Sequence, residues 1–155
     1  MDYTESMKVY LGADHRGFDL KEKLKVYLAG EGYECEDLGA ATLNSEDDYV
    51  DFAAKVAEEV VRNPETRGIL ACGSGAGVDI VANKFDGVRS VLASLPEEAR
   101  AAREDDDVNI LALASDFLNQ SEAEAISKIF LETEFKGEER HKRRLNKISE
   151  IEKKN

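Results

Sequence analysis

Cysteine is scarce in this chain, with two in 155 residues, Cys35 and Cys72. Neither falls in a CxxC pair or beside other plausible zinc ligands, which excludes a disulfide framework and a structural zinc site. No apolar run is long enough to cross a bilayer, and the acidic opening Met1 to Glu5 (MDYTE) is unlike a signal peptide. The expectation is a cytoplasmic protein with no membrane partner. Positive charge is in deficit, with 21 Lys and Arg against 33 Asp and Glu, a net charge of −12. A surface that neutralises phosphate backbones needs the opposite surplus, so nucleic acid is excluded as a general partner. Internal repeats, low-complexity tracts and interdomain linkers are absent too. What remains is a soluble globular composition, 42% hydrophobic, on a length that suits one core rather than two. The expected organisation is a single domain over 1–155, with its core in 7–134 and a C-terminal helical segment over 138–153.

Short apolar runs alternate with helical periodicity along the chain. Met7 to Leu11, Tyr33 to Leu38, Gly68 to Cys72, Val88 to Ala93 and Asn109 to Ala114 read as five strands. Between the first two, Leu20, Leu24, Tyr27 and Leu28 fall on one face of a 3.6-residue period, and Gly30 and Gly32 end that helix. Asn44 to Tyr49 reads as a loop. Ala53, Val56, Ala57, Val60 and Val61 then mark a helix that Asn63-Pro64 stops. A third helix is expected from Ala76 to Lys84. Ser94 reads as the N-cap of a fourth, with Pro96 in its first turn and Glu97 three residues on, running to about Glu104. Ser121 to Glu132 is a fifth, and a last helix begins at Glu138. This alternation predicts βαβ units and a mostly parallel sheet covered on both faces. Ligands of such sheets bind beyond the carboxyl ends of the strands. Ala13 to Phe18, Gly73 to Gly77 and the turn after the fourth strand share that rim, and Cys72 ends its strand there.

The rim carries chemistry. In CGSGAG, Gly73, Gly75 and Gly77 permit a tight turn whose backbone N–H groups can approach an oxyanion, and a helix start adds favourable field. The same surroundings favour a thiolate at Cys72, able to act as base or nucleophile; the alternative for Cys72 is a small buried hydrophobe. The spacing GxGxG after the third strand is not a dinucleotide fingerprint, and no GK[ST] follows to make a nucleotide P-loop. Asp14 and His15 follow the first strand at the same rim. Away from it, Arg140 to Arg144 (RHKRR) is a basic island in an acidic protein. It reads either as a solvated helix face or as an anion site in which Arg140 and Arg144, four apart, direct two guanidinium forks at one phosphate, with His141 beside them. Together these features suggest a small anionic metabolite and proton transfer or covalent addition.

The chain resembles the ribose-5-phosphate isomerase B and galactose-6-phosphate isomerase family from about Met7 to Ile148. The resemblance rests on GADHRGF (Gly12 to Phe18), DLG (Asp37 to Gly39), DYVDFA (Asp48 to Ala53), GILACGSGAG (Gly68 to Gly77), ANK (Ala82 to Lys84) and RHKRRLNKI (Arg140 to Ile148). It implies a Rossmann-like three-layer α/β/α sandwich with a five-stranded parallel sheet and a C-terminal helix. It implies a homodimer or dimer of dimers with sites built across the interface, and interconversion of an aldose and a ketose phosphate without metal or cofactor. By that resemblance Cys72 is the base that shuttles a proton through an enediolate, in place of the glutamate that another branch carries at the position of Val78. Ser74 and the N–H groups of Gly73, Gly75 and Gly77 would hold the enediolate oxygens, Asp14 and His15 would line the sugar pocket, Tyr49 would approach the sugar, and Arg140, His141 and Arg144 would bind phosphate.

Three positions depart from the family pattern. The stretch usually read REHND is REDDD here, Arg103 to Asp107, so Asp105 stands for the ring-opening histidine and Asp106 for an asparagine. Asp116 replaces an arginine that binds phosphate in part of the family. Asp105 could serve as a ring-opening acid only if burial or the neighbouring acid kept it protonated. The leading expectation is an isomerase of a sugar phosphate, most simply ribose 5-phosphate and ribulose 5-phosphate. The alternatives are an isomerase of a different, even unphosphorylated, sugar, and a sugar-binding subunit that pairs with a catalytic paralogue.

Overall fold

A computed structural model describes residues 7–155, so the acidic opening at Met1 to Glu5 lies outside the described residues. The elements are β1 (Lys8–Ala13), α1 (Phe18–Gly30), β2 (Glu34–Asp37), α2 (Tyr49–Arg62), β3 (Arg67–Cys72), α3 (Ala76–Ala82), β4 (Ser90–Leu92), α4 (Pro96–Asp106), β5 (Ile110–Ala114), α5 (Gln120–Glu132) and α6 (Glu139–Glu152). All strand pairs are parallel, in the order β2-β1-β3-β5-β4. Helices cover both faces, which makes the expected three-layer sandwich. None of the described helices is long and apolar enough to cross a membrane.

Strand alternation divides the apolar residues between two cores. Val9, Leu11, Ala13, Ile69, Ala71, Leu111 and Leu113 pack with Leu24, Leu28, Ile126 and Phe130 of α1 and α5. Tyr10, Leu70, Cys72, Ile110 and Ala112 face the other way, onto Val56, Val60 and Val78 of α2 and α3. Burial on both faces is why the central strands read as unbroken apolar runs rather than alternating ones.

Element ends differ from the sequence reading where local chemistry outweighs periodicity. α2 begins at Tyr49, four residues before Ala53, because Tyr49 and Val50 in its first turn stay exposed and break the apolar pattern. Leu95, not Ser94, is the N-cap of α4. The Glu98 carboxylate accepts the N–H groups of Ser94 (2.7 Å) and Leu95 (3.3 Å), which shifts the capping box by one residue. α3 stops at Ala82 because Asn83 turns back to exchange hydrogen bonds with the backbone of Ser90. Its seven residues give the rim less helix dipole than a helix to Lys84 would.

The sheet order reverses between β1 and β3, because β1 leads to β2 on one side and β3 leads towards β5 and β4 on the other. A crevice opens at such a switch point, beyond the carboxyl ends of the two strands. Here the turn after β1 presses against β3. A Cβ at Gly17 would lie 2.3 Å from the Ala71 carbonyl oxygen, which only glycine permits. A second tie is Lys21, 1% exposed, whose ammonium donates to both carboxylate oxygens of Asp37 (2.8 and 2.7 Å) and to the Ala40 carbonyl (2.6 Å). It anchors the DLG turn to α1, and Asp37 accepts the Gly39 N–H besides.

Gly17→Ala is expected to destabilise the fold by about 1–3 kcal/mol, since neither backbone can yield without moving a central strand. Gly30→Ala, where an added Cβ meets nothing within 4 Å, is expected to be neutral or mildly stabilising. Urea unfolding of the two variants beside the parent protein checks both.

Candidate active site

The carboxyl ends of β1, β3 and β5 bring together most of the residues expected at the rim. Cys72 ends β3 with 4% of its surface exposed and its side chain on the α2–α3 face, so it is buried at the carboxyl end of its strand. The CGSGAG turn follows. Gly75 has φ +73°, and a Cβ there would meet Leu92 Cδ1 at 2.5 Å and the Leu113 carbonyl carbon at 2.9 Å, so glycine is required. Gly77 lies under the ring of Tyr49, 2.7 Å from where its Cβ would be. Tyr49 reaches the turn from the start of α2 rather than from a loop. Ser74 Oγ accepts the Ala76 N–H at 3.3 Å and so helps shape the turn.

Asp14 and His15 follow β1. Asp14 is 4% exposed, and its Oδ1 accepts the N–H groups of Arg16 and Gly17, both at 3.0 Å. That carboxylate holds the tight turn with one oxygen and leaves the other for the crevice. His15 is organised by a residue the sequence reading passed over, Asp47. Its Oδ1 accepts the His15 backbone N–H at 2.9 Å and lies 2.8 Å from the imidazole Nδ1. The hydrogen bond to Asp47 raises the His15 pKa above the ordinary imidazole value of 6.5; partial burial opposes it and Asp14 assists. With Nδ1–H given to Asp47, Nε2 is the edge available to a ligand oxygen.

The turn after β5 closes the rim. Ser115 N–H donates to the Cys72 carbonyl (2.9 Å) and Asp116 N–H to the Gly73 carbonyl (3.0 Å). The Asp116 carboxylate pairs with Arg16, a second residue to which the sequence reading gave no role.

The remaining expected residues stand elsewhere. Asp105 and Asp106 end α4, and Arg140, His141 and Arg144 lie on the first turns of α6. α4 descends from the carboxyl edge of the sheet to its amino edge, so this second cluster and Cys72 are separated by the length of a strand, about 20 Å. Within the cluster His141 is 3% exposed, lies 3.6 Å from Asp105 Oδ1 through Nε2, and tilts against Phe135. Within one chain it therefore packs into this edge, with its Nδ1 buried and unpartnered, rather than lying open beside Arg140 and Arg144. Arg140 pairs with Glu138 at 3.0 Å, and Arg144 is exposed. Asp105 is 53% exposed, so the burial on which its use as a ring-opening acid depends is not provided within one chain.

The chain as a whole has close counterparts among known proteins. The model of the Ribose/Galactose Isomerase family matches residues 9–148. The chain belongs to the ribose/galactose isomerase family. It is 37% identical to ribose-5-phosphate isomerase B of Mycolicibacterium paratuberculosis over 94% of this chain and 92% of that protein. Its fold superposes with TM-score 0.92 on ribose-5-phosphate isomerase B of Mycoplasma genitalium solved with bound ribulose-5-phosphate, at 38% identity over 97% of this chain and 99% of that one. Against the Clostridium thermocellum ribose-5-phosphate isomerase B the TM-score is 0.90 at 43% identity, covering 96% and 99% of the two chains.

Of the residues missed, Asp47 sits in the acidic loop NSEDDY, where a solvated run is the ordinary reading, and Arg16 lies inside a family motif. Its partner Asp116 lies a hundred positions away, so nothing local in the sequence marks Arg16. His15 is expected to titrate above 6.5, and Asp47→Asn should lower its midpoint, as followed by NMR of the imidazole protons. Because the folded state favours the protonated ring, the pair's contribution to stability is fully present below pH 6.5. It is lost as pH rises through the native midpoint. The destabilisation by Asp47→Asn should therefore shrink in alkaline buffer.

Proposed function

We propose that this protein is a sugar-phosphate isomerase that interconverts ribose 5-phosphate and ribulose 5-phosphate by proton transfer at Cys72. The observation that carries the reading is the arrangement of this rim, in which a buried cysteine ends β3 at the start of a glycine turn, beside the β1 turn that carries Asp14 and His15. The names of its relatives agree with it. Cys72 acts as the base that takes the proton from C2 of the open-chain aldose and returns it to C1, while the proton of the C2 hydroxyl passes to the C1 oxygen. The CGSGAG backbone and Ser74 donate to the oxygens on which the enediolate charge develops, the kind of preorganised stabilisation that lowers such barriers most. His15, held by Asp47, donates from Nε2 to a sugar oxygen, and the ring of Tyr49 walls the pocket over Gly77.

The phosphate needs cations that this rim hardly offers, and the exposed arginines of α6 stand at the far edge of the sheet. A second copy of the chain resolves this if its α6 reaches over the crevice. Exposed apolar side chains support such docking: Leu95 and Phe117 beside the rim, at 54% and 76% exposure, and Ile148 and Ile151 along α6. We therefore read the active form as at least a dimer, with Arg140 and Arg144 of one copy serving Cys72 of the other. Asp105 and Asp106 would arrive with them and take the places of imidazole and amide at the sugar ring. Ring opening is then the weak step, and the enzyme should work relatively better on sugar presented in open-chain form.

Cys72→Ala is expected to reduce kcat for ribose 5-phosphate by about 10²–10⁴ while leaving ligand affinity largely intact. Turnover and isothermal titration on the same preparation check this. Unchanged turnover would remove the proton-shuttle role. Binding by the parent protein without turnover of any phosphorylated or free aldose would instead mark a binding subunit.

A further inference from the structure

Arg16 and Asp116 belong to loops a hundred residues apart, after β1 and after β5, yet they meet above the catalytic turn. The Arg16 guanidinium lies across the backbone of Gly73. A Cβ there would stand 2.2 Å from Cζ, 2.4 Å from Nε and 2.6 Å from Nη2, so the missing side chain at 73 is the space the fork occupies. The backbone beneath is fixed from both sides. Ser115 Oγ lies 2.8 Å from the Arg16 carbonyl oxygen and 3.0 Å from that of Cys72, and Asp116 N–H donates to Gly73. The pair is therefore placed within one residue of Cys72.

The charge count around it is unusual. In the described loops at the carboxyl edge, 13–17, 38–48, 73–75, 93–95 and 115–119, Arg16 is the single Lys or Arg, against the acids Asp14, Glu46, Asp47, Asp48 and Asp116. Lys21, nearby on α1, is already engaged with Asp37 and Ala40. Arg16 is 55% exposed, and its one side-chain contact to an acid is the Nη2–Asp116 pair. A guanidinium has five N–H donors, so most of the fork remains open to an oxyanion.

We propose that Arg16 is the specificity residue that receives the anionic end of the substrate at this rim, and that Asp116 is its resident counter-ion. This rests on the isomerase reading above and deepens it. A phosphate dianion arriving over Gly73 competes with the Asp116 carboxylate for the same fork. The β1 turn thus supplies the guanidinium of this rim, and Asp116 holds it neutralised until an anion arrives. An exposed ion pair is weak enough to be exchanged for a bidentate phosphate contact. The carboxylate left beside the bound anion still weakens phosphate binding relative to a free arginine.

Four proteins test this: the parent, Arg16→Met, Asp116→Asn and the double variant, with Arg16→Lys to separate charge from fork geometry and circular dichroism to verify folding. With ribose 5-phosphate, Asp116→Asn should lower KM about three- to tenfold and change kcat less, and Arg16→Met should raise KM by a similar factor. In the Arg16→Met background Asp116→Asn should lose most of its effect, and Arg16→Lys should fall between parent and Arg16→Met. The same order should appear in inorganic phosphate protection against thermal unfolding, which needs no turnover. Protection in that order without isomerisation would sustain Arg16 and remove the isomerase reading. Isomerisation with KM effects that are independent in the double variant, or with no effect of Arg16→Met on KM and protection, would overturn the role of Arg16 and leave the isomerase reading standing.

Discussion

One close approach between two backbones organises the crevice. Gly17 rests on the Ala71 carbonyl where any side chain would collide, and that contact sets the turn after β1 against the end of β3. Asp14, His15 and Arg16 precede it by one to three residues, and Cys72 and Gly73 follow Ala71 by one and two. A small displacement there would separate acid, imidazole and guanidinium from the cysteine together. The rest of the scaffold supports this junction. Asp14 accepts the two N–H groups of the turn, Lys21 ties the DLG loop beside it, and Ser115 spans the Arg16 and Cys72 carbonyls from β5. Preorganisation of this kind is what a proton shuttle needs, because its barrier depends on sub-ångström placement of base and donors.

Charge distinguishes this crevice from an ordinary anion site. The chain is acidic, its rim is acidic, and the cations that the proposed reading assigns to phosphate are Arg16 at the rim and the arginines of α6 at the opposite edge. Asp47 makes a cation of His15 more readily than solvent would, while Asp116 offsets Arg16. The two carboxylates act in opposite senses, one favouring positive charge on His15 and the other offsetting the charge of Arg16. Asp105 and Asp106 continue the pattern on the second cluster.

The apolar strands were legible because double-faced burial writes itself as runs such as ILALA and GILAC, and the parallel sheet followed from their alternation with helices. The rim was legible for the same reason, since a strand end followed by a glycine turn has one place to go in a parallel sheet. Less was readable where a residue's meaning depends on a partner far along the chain. Arg16 is an ordinary motif residue until Asp116 faces it, and Asp47 is one acid among several until His15 turns towards it. Tyr49 was placed in a loop because its exposed neighbour Val50 hides the helical period. The α6 cluster was recognisable as helical and basic, but the edge it occupies follows only from the path of α4 down the sheet, and the burial of His141 from the packing of Phe135.

Two half-sites at opposite edges of one chain carry the central claim of the proposed reading, that catalysis needs two copies. The most direct measurement mixes two inactive proteins by co-expression, one carrying Cys72→Ala and the other Arg140→Ala with Arg144→Ala. Random pairing into dimers leaves one intact site in each mixed pair, so the mixture should recover roughly a quarter of the parent's ribose 5-phosphate isomerisation. A mixture of verified hetero-oligomers no more active than its two parts would contradict a site shared between copies.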